Sequence, residues 1–259
     1  MTTRNWRIKS NRAGCNILHF KCPDNYVPSI LTLSTFTDIG SFTWVAPNYV
    51  TSIEYLIVGG GGGGGGAYDT GSAGGGGGGL VLTGSYSVSP GTSYTINVGD
   101  GGTGGFKTVS GTDGFSSSFD TIIADGGGGG RQSRDATGGA GIGGQSSTLL
   151  NAPTGGSGAG NRVGGDDGGG GGGNTTAGGS SSTTPGISKE GGIGLTSNIT
   201  GFDITYGAGG NGGIVDRSYN GSSGTTNTGN GGEGATSVSN DDKTGGKGGS
   251  GIIILKYLL

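Results

Sequence analysis

The sequence predicts an all-β protein, an antiparallel β-sandwich whose loops carry inserted polyglycine helices gathered into a bundle. Three observations lead there. Gly59 to Gly66 is an unbroken run of glycine entered directly from the strand-like stretch Ile53-Glu54-Tyr55-Leu56-Ile57-Val58. The same succession recurs where Thr121-Ile122-Ile123-Ala124 leads into Gly126 to Gly130. The chain closes on Ile252-Ile253-Ile254-Leu255, too apolar to be left in water, and its match is the equally apolar Tyr55-Leu56-Ile57-Val58 far upstream. If those two stretches pair in one sheet, every glycine block between them is an insertion anchored at both ends.

Glycine supplies 71 of 259 residues, against a usual ~7%. Collagen needs glycine at every third position with abundant proline, whereas here the glycines form solid blocks beside six prolines. Disorder is the compositional alternative for Gly/Ser/Thr/Asn-rich chains. The ordered alternative is an extended helix of three residues per turn whose N–H and C=O groups all point outward, spanning roughly 25 Å for eight residues at ~3.1 Å each. Blocks that leave from strand ends would lie side by side and could bond to one another because nothing protrudes, which favours order.

Taken in order, residues 1–40 have ordinary composition and read as a strand-rich attachment segment, and residues 41–259 as the glycine-rich domain. Cys15-Asn16-Ile17-Leu18-His19-Phe20 and Ser29-Ile30-Leu31-Thr32-Leu33 are strand-like, with Pro23 and Pro28 arguing against helices. Ser41 to Pro47 and Tyr49 to Val58 read as two strands joined by a Pro47-Asn48 turn. Leu80 to Ser89 and Thr92 to Val98, on either side of Pro90-Gly91, give the clearest hairpin signal. Phe115 to Phe119 and Thr121 to Ala124 read as a further pair. Beyond them lie the Gly168 to Gly173 block and isolated apolar groups at Ile193-Gly194-Leu195 and Phe202 to Tyr206.

Chemistry is sparse. A net charge of −3 gives no basic footprint for nucleic acid. Cys15 and Cys22 are the only cysteines, too few for a four-ligand zinc site within one chain. They are read as a local disulfide or two thiols, with thiols favoured because the polar N-terminus lacks an export signal. No window approaches the ~18 apolar residues of a membrane span. Gly245-Gly246-Lys247-Gly248 lacks the hydroxyl residue of a phosphate loop and precedes a strand. Asp166-Asp167 and Asp241-Asp242 read as solvated loop tips rather than calcium sites. His19 is the single histidine, and no nucleophile-base spacing supports catalysis. Neither enzyme activity nor a cofactor is expected. What remains is a surface, with Tyr68, Arg131, Arg134, Arg162, Arg217 and Tyr219 as candidate contact residues on loops held by a rigid scaffold.

The order Phe42-Thr43-Trp44-Val45-Ala46-Pro47, Val50 to Gly61, Val88 to Gly99, Ala124 to Gly128 and Gly251 to Tyr257 resembles the glycine-rich domain of phage tail-fibre and giant-virus proteins. Similar blocks occur in anaplastic lymphoma kinase-type receptors. The resemblance implies a jelly-roll or tumour-necrosis-factor-like sandwich, a structural or adhesive role, and no catalytic residues. The expected function is that of a virion protein, a fibre-tip adhesin or a minor capsid component. Its partners would be other virion proteins and a host glycan or receptor, and the sandwich it resembles often trimerises. Ice binding is the alternative, since packed glycine helices can present a flat face, although the threonines are irregularly clustered.

Overall fold

Strands form where β-branched and aromatic residues cluster, and the glycine blocks connect them. The computed structural model describes residues 6–8, 30–133, 175, 178, 190–214, 217–239 and 241–259. The strand expected at Cys15 to Phe20, with Cys15, His19 and Cys22, lies outside the described residues, as do Asp166-Asp167 and the Gly168 to Gly173 block. All regular structure among the described residues is β, and every strand pair is antiparallel.

A five-stranded sheet has the order β1 (Trp6–Ile8), β2 (Leu31–Phe36), β13 (Ile252–Leu258), β4 (Ser52–Val58), β6 (Val81–Ser87). A four-stranded sheet has the order β3 (Gly40–Val45), β7 (Ser93–Val98), β8 (Ser117–Phe119), β9 (Ile122–Ala124). The closing strand pairs with Tyr55-Leu56-Ile57-Val58 as expected, Ile252 opposite Val58 and Leu255 opposite Tyr55. It is the central strand, and that explains its unbroken apolar run. Ile253, Leu255 and Tyr257 share one cluster with Trp44, Ile96, Val98 and Phe119 of the four-stranded sheet, while Ile252 and Ile254 pack on the opposite side with Leu56, Val58 and Tyr206. From Ile252 to Leu255 the strand is covered on both faces and has no position left for alternating polar residues; Lys256 follows where that cover ends.

Phe115 to Ala124 forms the expected pair, β8 with β9, turning at Asp120. The hairpin expected at Pro90-Gly91 does not form. Ser89 to Thr92 makes a tight turn, with Thr92 N–H donating to Ser89 O at 3.1 Å and Gly91 at φ 75°, as a type II turn requires. Yet β6 pairs with β4 and β7 with β3, so the turn crosses between sheets. The backbone of Ala46 and Thr51, flanking the Pro47-Asn48 turn, takes the hydrogen bonds that a hairpin would have closed: Gly91 N–H to Ala46 O, Ala46 N–H to Thr92 O and Val88 N–H to Thr51 O. Ala46, Val50 and Val88 are buried there in the shared core.

A hairpin of β10 (Leu195–Ser197) and β11 (Ile204–Tyr206) lies on the outer face of the five-stranded sheet. Its Tyr206 is 2% exposed, and burial raises the phenol pKa above its ordinary value of about 10. Because the folded value exceeds the unfolded one, the stability this group contributes is complete below about pH 10 and is lost as pH rises through the folded value. The wild type is therefore expected to lose melting temperature more steeply than Tyr206→Phe in alkaline buffer. Parallel slopes would contradict the assignment.

Candidate functional site

Glycine segments continue the strands, running away from the sheets after β4, β7 and β9 and returning before β6, β8 and β13. The segment 59–66 lies at their centre. Its N–H groups point in three directions in turn. Gly59, Gly62 and Gly65 donate to Leu80, Gly77 and Gly74; Gly60, Gly63 and Gly66 to Phe115, Thr112 and Val109; Gly61 and Gly64 to Gly249 and Gly246. Its carbonyls accept in the same rhythm, Gly60 and Gly63 from Gly127 and Gly130, Gly61 and Gly64 from Gly102 and Gly105, Gly62 and Gly65 from Gly232 and Ala235. Three descending and three ascending neighbours alternate around it. They also bond to one another in a closed ring: 99–105, 109–115, 125–131, 74–80, 229–235, 243–249 and back to 99–105.

This arrangement explains the glycine directly. A Cβ placed on any residue from Gly59 to Gly65 would lie 1.9–2.2 Å from a neighbouring backbone carbonyl oxygen. Ring segments have an outer side and carry a larger residue at every third position, Asp100 and Thr103, Asn230 and Glu233, or Thr244, Lys247 and Ser250. Side chains on the outer side of ring segments satisfy backbone amides there: Asp100 takes the Gly101 N–H at 2.7 Å, Thr112 that of Thr103 at 2.8 Å, and Asp113 that of Gly129 at 2.7 Å. Of the three amides only that of Gly101 is buried, and leaving it unpaired would cost about 1–3 kcal/mol; at exposed Thr103 and half-buried Gly129 water can substitute.

The end of this lattice remote from the sheets gathers loops from distant parts of the chain. There β5 (Thr70–Ser72) pairs with β12 (Thr236–Val238), Ala67 bridges Lys243, and Phe106 bridges Thr244. Of the candidate contact residues, Tyr68, Arg131, Arg217 and Tyr219 come from this end; Arg134 and Arg162 lie outside the described residues. The Tyr68 ring lies under Lys107 Nζ, 4.5 Å from its centroid, and Lys107 also pairs with Asp242 at 3.3 Å. Tyr68 N–H donates to Ser133 Oγ. Tyr219 bridges Thr236, and its hydroxyl accepts the Ile214 N–H at 3.1 Å. Arg131 and Arg217 are exposed.

Sequence reasoning missed Lys107 and the exposed Phe106 and Val109, and read Asp242 only as part of a solvated loop tip; all four belong to the same surface. Their signal was position, since each lies where a glycine segment turns. Asp241 and Asp242 are exposed, as expected for loop tips, but both are held, Asp241 by Lys243 and Ser239 and Asp242 by Lys107. No three His, Cys, Asp or Glu side chains among the described residues come close enough to hold a metal ion. No helix among them is long and apolar enough to cross a membrane.

A family profile described as the glycine-rich domain matches residues 35–258. The chain belongs to the glycine-rich domain family. The matched span begins inside β2 and ends inside β13, two strands that pair with each other, so it covers the core of this glycine-rich domain and the lattice it anchors. No curated protein sequence matches the chain. In this glycine-rich domain the peptide bond after Arg131 is expected to resist trypsin in the native state. Arg131 O accepts the Gly74 N–H at 2.9 Å, and Ser110 Oγ holds the Gln132 N–H at 3.2 Å. Proteases need a segment that can detach into an extended form. Prompt cleavage there, with the rest of the fold intact, would show that the lattice is not rigid.

Proposed function

We propose that the protein is a non-enzymatic structural component of a virus or phage particle, a fibre-tip adhesin or a minor capsid or surface protein. It holds loops rigid at the end of a polyglycine II bundle and presents them to a host glycan or receptor, or to neighbouring virion proteins. The observation that carries this reading is the three-residue hydrogen-bond rhythm of Gly59 to Gly66, which ends at the loops bearing Tyr68, Arg131, Arg217 and Tyr219. That rhythm supports a threefold glycine helix without internal bonds. The two facing antiparallel sheets support a jelly-roll or tumour-necrosis-factor-like sandwich beneath it, a scaffold compatible with a homotrimer.

A bundle whose polar backbone is bonded segment to segment keeps its end loops ordered, which lowers the entropy lost when they bind. Quantitative mass spectrometry of purified particles, compared with infected-cell lysate, tests the virion assignment. Enrichment at fixed stoichiometry with the major capsid protein is the expected result; absence from the particle would overturn it. Ice binding is the second reading, because Thr103 and Thr112 are exposed side by side on adjacent segments, their hydroxyls 3.2 Å apart. The same surface also carries Asp113, Asp100 and Lys247, which break a regular threonine array. No thermal hysteresis is expected.

A further inference from the structure

We propose that the groove between the Leu195–Tyr206 hairpin and the outer face of the five-stranded sheet binds a neutral hexose-type carbohydrate. The inference rests on the adhesive reading above and places the sugar contact on the body of the domain, away from the lattice end. The outer face of β4 and β13 is divided along its length. Toward the lattice it carries Leu56, Val58, Ile252 and Ile254, and the hairpin docks there through Leu195, Ile199 and Tyr206. Farther from the lattice the same face carries Glu54, Lys256 and, on β6, Ser85, and the hairpin's turn forms a wall over this polar half. The space between is a groove of about 560 Å³.

Its chemistry points to a polyol. On the floor, Lys256 Nζ lies 2.8 Å from Glu54 Oε2, two residues directly opposite in the register. A fixed donor beside a fixed acceptor suits adjacent ring hydroxyls, each of which can accept from the ammonium and donate to the carboxylate. On the wall, Asn198 and Asp203 are exposed, and their side chains have no hydrogen bond or ion pair with any described residue. Two carboxylates against one ammonium leave the groove negative, which disfavours sialylated, sulfated and phosphorylated ligands. An apolar peptide or lipid would strip water from Glu54, Lys256 and Asp203 without replacing its hydrogen bonds.

One more feature of a sugar site lies on the hairpin's turn, outside the groove lining but adjacent in the chain to Asp203, which lines it. Phe202, next to Asp203 in the chain, is 77% exposed. It is held on a turn closed by the Gly201 N–H to Asn198 O bond at 2.8 Å, with Gly201 at φ 91°. An exposed aromatic on an ordered turn is a platform for the C–H face of a pyranose, at little entropic cost on binding.

The full chain is to be applied to a printed array of glucose-, galactose- and mannose-terminated oligosaccharides with sialylated counterparts, and the best ligand titrated by calorimetry. Neutral sugars are expected to bind, with Phe202→Ala and Asp203→Ala each weakening affinity about tenfold or more and Arg131→Ala and Arg217→Ala leaving it unchanged. Asp203 lines the groove and Phe202 stands next to it on the turn; both side chains are exposed, so the fold is retained. Binding of sialylated sugars alone, no binding of neutral ones, or full affinity in both groove variants would overturn the inference. If affinity is lost instead with Arg131 or Arg217, the groove fails and presentation by the lattice end stands. If the groove binds sugar but the protein is absent from particles, the virion reading fails alone.

Discussion

Gly63→Ala is expected to cost more than about 3 kcal/mol of unfolding free energy, the upper range for overpacking a filled interior. The added Cβ would lie 2.1 Å from Thr103 O and 2.4 Å from the carbonyl carbon behind it, both backbone atoms. Segments surround this position on all sides, so a shift away from 99–105 drives the chain into a neighbour bonded in the same register. Gly84→Ala is the matched control. The nearest atom there is the Tyr55 hydroxyl at 2.7 Å, the far end of a side chain that can swing, and the expected cost is within about 1 kcal/mol. Denaturant titration of both variants measures the difference. Equal stability of Gly63→Ala and wild type would contradict a close-packed centre.

Phe119→Ala is expected to be the most damaging core substitution, at about 3–5 kcal/mol, a large share of the 5–15 kcal/mol that holds a typical domain folded. Phe119 is fully buried and its ring lies 5.5–6.0 Å from those of Tyr86, Tyr94 and Trp44. Phe119 is the one large apolar side chain of β8, a strand of three residues otherwise held by its pairing with β7 and β9 and by the Ser117 and Ser118 hydroxyls. That strand joins the incoming segment 109–116 to the outgoing segment 125–133 through β9, so a loosened Phe119 releases two sides of the lattice ring. Amide exchange should then accelerate at Gly111, Gly114, Gly127 and Gly130 before it does at the β4–β13 pairing. Uniform acceleration would mean that the lattice and sheets unfold as one unit.

The location of the candidate surface, though not its role, can be compared with the sequence reading. Tyr68, Arg131, Arg134, Arg162, Arg217 and Tyr219 read as contact residues because they are aromatic and arginine side chains on loops between glycine segments, and the structure places the four described ones, Tyr68, Arg131, Arg217 and Tyr219, at one end. The partners that fix them were not legible. Lys107 and Asp242 meet beside Tyr68 only because segments 99–105 and 243–249 are neighbours in the ring and both bond to the central segment 59–66. The triplet spacing of Asp100 and Thr103, or of Thr244, Lys247 and Ser250, is present in the sequence, but it gains meaning only once a central segment exists for the intervening glycines to face.

The sequence by itself determined that β structure would dominate, that Ile252 to Leu255 would pair with Tyr55 to Val58, and that the glycine blocks would leave from strand ends. Each of those follows from what a residue can or cannot bury. Tertiary structure alone decided which strands share a sheet. Pro90-Gly91 encodes a tight turn equally well for a hairpin and for a crossing between sheets; the backbone of Ala46 and Thr51, distant in the chain, selected the crossing. It decided likewise which glycine run became the enclosed one. Side-chain chemistry cannot specify neighbours where there are no side chains, so the register of the lattice is inherited from the strands that anchor it.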